Sequence, residues 1–150
     1  MKASDRVGWD TNVLVFLDDP SHLNYLKARS LFEQVVKGQM KVCVSHQILS
    51  EYFSVITSGQ RVQNPLTAPE AAERVLFLIK LRKIKKIYPK RSTLKRCIKF
   101  CEKNDIRGAK VFDVYYGINL LDNGVPKLVT QNIKDFAALR ELGLEVENPF

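Results

Sequence analysis

Cysteine and histidine are scarce in this sequence, with three and two residues among 150. An odd cysteine count without a CxxC motif does not suggest a disulfide framework. Cys97 and Cys101 lie four apart, on one face of a helix if that segment is helical. His22 and His46 are far from them, so the ligand spacing of a structural zinc site is lacking. Reduced, mostly buried thiols are the better account. Long apolar runs are missing as well. VLVFL (13–17) and VLFLI (75–79) are far too short to span a bilayer. MKASDRVGWD is polar and has no apolar core of a secretory signal. There is no internal repeat, low-complexity tract or linker. The chain reads as one soluble, cytoplasmic domain over residues 1–150, with 45% hydrophobic residues to build a core.

Charge is abundant, and unevenly placed. Lys80–Lys110 holds thirteen Lys and Arg against two acids, Glu102 and Asp105, while the net charge of the whole chain is +8. The rest of the chain is therefore slightly acidic. A basic block on such a body is the footprint of a polyanion binder; the alternative is a solvated helix face.

The hydrophobic pattern alternates between short and long periods. In Pro20–Lys37, Leu23, Leu26, Leu31, Phe32, Val35 and Val36 recur at helical spacing, and Gly38 closes the segment. KVCVS (41–45) predicts a strand, and Ser45 can cap a helix over His46–Thr57. Gly59 and Pro65 break the polar loop SGQRVQNPL. Thr67 and Glu70 form a capping box for a helix to about Arg82. IKKIYP (84–89) predicts a strand, Ser92 a cap for the helix of LKRCIKFCEK, and VFDVYYGINLLDNG a helix ended at Asn123-Gly124. PKLVT (126–130) and LEVENPF supply the last strands. Strands separated by helices imply βαβ units and a mostly parallel sheet between helical layers. Sites in such sheets lie beyond the carboxyl ends of the strands. The tract before Asp10, ASDRVGW, makes a poor strand, so that end is the weakest part of the pattern.

Four oxygen-rich positions sit beside these apolar segments. They are Asp10, Glu51, Asp113 at the front of a helix, and Thr130-Gln131-Asn132 with Asp135 three residues on. Taken singly, each has an ordinary explanation as a cap, a turn or a solvated acid. Taken together they could converge at one edge of the sheet. A cluster of uncompensated carboxylates repels itself and calls for a hard divalent cation such as Mg²⁺ or Mn²⁺.

DTNVLV (10–15), SEYFSVI (50–56), VFDVYYGINLLDNG (111–124) and LVTQNIKDF (128–136), in this order and spacing, resemble PIN-domain ribonucleases, above all the VapC-type toxins of prokaryotic toxin–antitoxin modules. The resemblance covers nearly the whole chain. It implies a three-layer α/β/α fold with a central, mostly parallel sheet of about five strands. It also implies a site that binds one or two Mg²⁺ or Mn²⁺ ions and cleaves single-stranded RNA. By position, Asp10, Glu51 and Asp113 match the family's three main acids. Asn132 stands where a fourth acid is frequent, with Asp135 the nearest carboxylate, and Gln131 replaces a frequent arginine. Thr11, Asn12 and Thr130 match its polar support residues. A homodimer and an antitoxin partner are further implications.

The chemistry agrees with the residue types. Phosphodiester hydrolysis needs an activated water and neutralised charge at phosphorus, and carboxylate-held ions supply both. Lys83, Lys85 and Lys86 are the expected RNA contacts within the basic block. A phosphatase of the haloacid-dehalogenase type would need a second aspartate two residues after Asp10, where Asn12 stands, and an amide cannot donate that proton. The remaining alternative is a PIN-like domain with a weak or inactive site that binds RNA or protein.

Overall fold

The computed structural model describes residues 5–150. Five strands form one sheet: β1 (Arg6–Trp9), β2 (Lys41–Ser45), β3 (Ile84–Ile87), β4 (Lys127–Val129) and β5 (Glu145–Glu147). All neighbours are parallel, in the order β3-β2-β1-β4-β5. Seven helices lie among the described residues: α1 (Thr11–Asp18), α2 (Tyr25–Val36), α3 (His46–Ile56), α4 (Ala68–Lys80), α5 (Thr93–Lys103), α6 (Lys110–Asp122) and α7 (Ile133–Phe136). A 3-10 helix, Ala137–Leu142, precedes β5. Helices α1–α4 pack among themselves and α5–α7 among themselves. This is the expected three-layer α/β/α arrangement, with a wholly parallel sheet.

The topology itself marks a crevice. The chain builds outward from β1 through β2 to β3, then returns to place β4 and β5 on the other side. The strand order thus reverses beside β1, and the carboxyl ends of β1, β2 and β4 open at that switch point.

The poor strand is the central one. Arg6–Trp9 pairs on both sides, with Gly8 opposite Cys43 of β2 and Leu128 of β4. The apolar run that follows Asp10 is helix α1, which buries Val13, Leu14 and Phe16. Gly8 also meets α6 closely: a Cβ there would lie 2.6 and 2.7 Å from the two methyl carbons of the buried Leu120.

Local signals act as expected at several points. The Ser45 hydroxyl accepts from the Ile48 amide at 3.3 Å, and Thr67 with Glu70 forms the full capping box. The three cysteines are free and buried. Two expectations need correction. Helix α2 begins at Tyr25, not Pro20, and buries Ala28, Leu31 and Val35, whereas Leu23 and Leu26 are 88% and 75% exposed. Leu26 lies off the stripe set by positions 28, 31 and 35, and Leu23 precedes the helix. At α5 the Ser92 side chain makes no cap. The neighbouring Thr93 instead ties the preceding turn to α6, accepting from the Lys90 amide at 2.8 Å and donating to Asp122 at 2.6 Å.

Candidate active site

Asp10 follows the last residue of β1, held there by its amide donating to the Val129 carbonyl at 3.0 Å. It is the N-cap of α1, and its Oδ1 accepts from the Thr11 amide at 2.8 Å. Oδ2 accepts from the buried Thr130 hydroxyl at 2.7 Å and from Asn12 Nδ2 at 3.3 Å. Asn12 also donates to Thr130 at 3.2 Å, and its carbonyl accepts from the Gln131 amide at 3.3 Å. Thr130 in turn accepts from the Asn132 amide at 2.9 Å. This net ties the end of β1 to the end of β4. Burial pushes the Asp10 carboxyl upward, and nearby Glu51 and Asp135 add to that, while the bonds from Thr130 and Thr11 oppose it.

Glu51 reaches the same place from α3, on the first turns after β2. Its Oε2 accepts from the Thr11 hydroxyl at 2.9 Å, and its Oε1 from Gln47 Nε2 at 3.1 Å. The same amide nitrogen donates to the Phe112 carbonyl at 2.9 Å. Gln47 therefore joins Glu51 to the backbone immediately before Asp113.

Asp113 lies in the first turn of α6, where the helix dipole favours an anion. The opposing influences are larger. Half-burial, then the charges of Asp10, Asp135 and Glu51, raise its carboxyl to about 7, against a smaller lowering by Lys110. One helical turn on, the buried Tyr116 hydroxyl donates to the Trp9 carbonyl at 2.6 Å. That bond sets α6, and with it Asp113, against the residue preceding Asp10.

Asp10, Glu51, Asp113 and Asp135 line one cavity of about 1040 Å³, together with Thr11, Asn12, Gln131 and Asn132. Among the described residues none of the four acids is ion-paired to Lys or Arg. Nor do any three His, Cys, Asp or Glu side chains gather tightly enough to chelate one ion. The acids ring the cavity rather than meet at a point. The donor set still fits a hard divalent ion, because every group is a carboxylate, hydroxyl or amide oxygen. Mg²⁺ keeps several waters and takes only one or two carboxylates.

The lysines expected to touch RNA lie elsewhere. Lys83, Lys85 and Lys86 are on or beside β3, the sheet edge, and none lines the cavity. Lys83 Nζ donates to the Val36 carbonyl, and Lys86 Nζ donates to Leu81 and Ile84 carbonyls at 2.7 and 2.8 Å. Three residues of the site had no sequence signal of their own: Gln47, Tyr116 and Arg61, the last lining the cavity from the loop after α3. Gln47 at least stands one helical turn before Glu51, a spacing that puts the two side by side.

Replacing Gln47 by Ala should free Glu51 from its fixed orientation without touching the carboxylate. Outer-shell partners of this kind are worth roughly 10–100-fold in metal affinity. Titration of Mn²⁺ against the Gln47→Ala variant should show a loss in that range, and unchanged affinity would mean that the bridge positions nothing.

No protein-family model matches the sequence, and no curated protein matches it significantly. Solved structures do match by shape. One is VapC20 of Mycobacterium tuberculosis, described as a sarcin–ricin loop cleaving toxin. Its TM-score is 0.67 at 13% identity, over 88% of this chain and 94% of that one. Another is VapBC2 of Rickettsia felis bound to a promoter DNA fragment, with a TM-score of 0.63 at 16% identity over 95% and 98%. A third is FitAcB of Neisseria gonorrhoeae, with a TM-score of 0.62 at 14% identity over 95% and 97%. The shared property is the fold, that of VapC-like PIN domains.

Proposed function

We propose that this chain is a single-domain, divalent-cation-dependent endoribonuclease that hydrolyses single-stranded RNA. The observation that carries the reading is the cavity at the switch point, where Asp10, Glu51, Asp113 and Asp135 face one space and, among the described residues, none is ion-paired to Lys or Arg. Such a set would cost stability with no return unless a cation joined it.

Asp10, Glu51 and Asp113 would share one or two ions, partly through the waters that such an ion keeps, with Asn132 and Asp135 lining the same cavity beyond β4. A bound Mg²⁺ or Mn²⁺ supplies an acidified water and charge neutralisation at phosphorus. The chain's own part is orientation. Thr11 and Gln47 hold Glu51, while Thr130 and Asn12 hold Asp10, so the carboxylates are directed before substrate arrives. Lys83, Lys85 and Lys86 contribute attraction at longer range, since none stands in the cavity.

The shape similarity to the VapC20 toxin and to VapBC and FitAcB structures supports a toxin role with an antitoxin protein as partner; a homodimer is part of the same proposal, on the sequence resemblance alone. Among the described residues no helix is long and apolar enough to cross a membrane.

Purified protein should cut a labelled single-stranded RNA panel with Mg²⁺ or Mn²⁺, lose all cleavage in excess EDTA, and regain it when metal is restored. Mn²⁺ at about ten times its Kd should add roughly 1.4 kcal/mol to folding stability, read as a rise in Tm. Metal-independent cleavage would overturn the mechanism. Tight RNA binding without cleavage under any divalent ion would leave the inactive binding-module reading instead.

A further inference from the structure

The cavity does not end at the acids. It continues from Glu51 along Ser54 of α3 to the loop of residues 57–67, where Arg61, Gln63 and Asn64 form its wall. At about 1040 Å³ it exceeds what one hydrated ion needs and matches the upper range of organic-ligand sites, about 300–1,000 Å³.

Charge distinguishes this arm from the rest. Six carboxylates line the cavity, and Arg61 is the one Lys or Arg among its described lining residues. Asp18, the acid nearest in kind to a partner, is already met by Arg74 at 3.6 Å and by the Tyr52 hydroxyl. Arg61 makes no ion pair and no side-chain hydrogen bond among the described residues. The side chains of Gln63 and Asn64 are exposed on the same wall.

The loop that presents them is tied down. The Arg61 and Val62 amides donate to the Ser58 carbonyl at 3.0 and 3.1 Å, and the Leu66 amide donates to the Ile56 carbonyl at 2.8 Å. Val62 and Leu66 are half-buried beneath it. A guanidinium on a fixed loop suits the oxygens of a phosphate. Amides offer a donor and an acceptor together, which suits the edge of an unpaired base.

We propose that this arm is a nucleotide subsite. Arg61 binds the phosphate that adjoins the bond to be cut, and Gln63 and Asn64 meet the neighbouring base. The assignment rests on the ribonuclease reading above and adds to it where along the fold the RNA runs: out of the acids along α3, not across the lysines of β3. It also makes the loop a determinant of which sequence is cut.

The test combines binding and kinetics. In an Asp113→Asn background, with Mg²⁺ present, anisotropy of a short labelled single-stranded RNA is followed across salt concentrations. Arg61→Ala should weaken binding about tenfold and reduce the slope of log affinity against log salt by about 0.7, the value for one phosphate contact on a single strand. Arg61→Lys should keep the slope and recover part of the affinity. Gln63→Ala and Asn64→Ala should leave the slope intact and alter the ranking of homopolymer substrates. In cleavage assays with Asp113 present, the Arg61→Ala loss should fall on KM more than on kcat. If the unmodified protein cuts RNA and Arg61→Ala binds with unchanged affinity and slope, the subsite is wrong while the nuclease stands. If the unmodified protein neither binds nor cuts RNA in any divalent ion, both fall.

Discussion

Asp113→Asn should abolish cleavage and, in EDTA at pH 8, make the protein more stable. The two effects have one cause. The carboxyl is half-buried and faces Asp10, Asp135 and Glu51, so in the folded protein its ionised form is disfavoured and its titration lies near 7 instead of 3.8. The sign follows from linkage. A carboxyl raised in the folded state contributes fully to stability below its unfolded value and loses that contribution as pH rises through its folded value. The advantage of the amide should thus grow from about pH 4 to about pH 7 and stay level above. Solvent screening of a partly exposed group cuts the nominal figure to about 1–2 kcal/mol, which for a chain of this size is a rise in Tm of roughly 2–8 °C. The same amide cannot hold a divalent ion as a carboxylate does. Cleavage should fall at least about a thousandfold, or ~4 kcal/mol of transition-state stabilisation. Thermal unfolding at pH 4.5 and pH 8 in EDTA, beside an RNA assay in Mg²⁺, checks both halves. A lower Tm at pH 8 would mean that Asp113 is structural and that its charge is already compensated.

That trade between stability and chemistry explains why the acids were visible in the sequence and their supports were not. Asp10, Glu51, Asp113 and Asp135 each stand against an apolar segment, and an acid in that setting is noticeable locally. Gln47 becomes a bridge through the Phe112 carbonyl, 65 positions away, and Tyr116 gains its role from the Trp9 carbonyl, 107 positions away. Neither distance leaves a trace in hydrophobic period or capping chemistry. Arg61 lies in a polar loop, broken by Gly59 and Pro65, that carries no periodic or capping signal. Conversely, the basic block was conspicuous in composition, yet much of it is engaged elsewhere. Arg96 pairs with Asp122, Lys103 lies 3.9 Å from Glu141, Arg107 binds Asp105, and Lys86 covers backbone carbonyls. Charge in a sequence records solvation as readily as recognition.

The fold was legible for a different reason. KVCVS, the Thr67–Glu70 box and the run ended at Asn123-Gly124 carry signals that do not depend on distant contacts, and each became the element expected. Strand β1 shows the opposite case. RVGW has weak strand propensity, with glycine at its centre, but it lies between β2 and β4 and both neighbours complete its ladder. Tertiary context overrides local preference most readily at such a position. The glycine that weakened the local signal is the residue the packing demands.

Gly8→Val should therefore damage the fold and the site together. Any side chain at position 8 projects toward α6, where even a Cβ would lie 2.6 and 2.7 Å from the methyl carbons of Leu120. Leu120 is fully buried, and protein interiors are packed densely enough that a side chain has little room to move aside. Overpacking of this kind costs about 1–3 kcal/mol, and a branched side chain in a central strand belongs at the upper end, a fall in Tm of roughly 4–12 °C. The displacement has a direction. Leu120 sits on the helix that carries Asp113 and Tyr116, and Gly8 lies two residues before Asp10. Pushing α6 away from β1 strains the Tyr116–Trp9 bond and parts the acids on either side of the cavity. Cleavage should drop well beyond the loss of folded protein when assayed far below Tm, since small misplacements at a site of this kind cost about 10²-fold. A paired change locates the cause. Leu120→Ala alone should destabilise by about 2–5 kcal/mol through the cavity it leaves, but combined with Gly8→Ala the two should be less harmful than their sum, because the new methyl group occupies the vacated space. Strict additivity of the pair, measured by denaturant unfolding, would show that Gly8 is required for a reason other than its contact with Leu120.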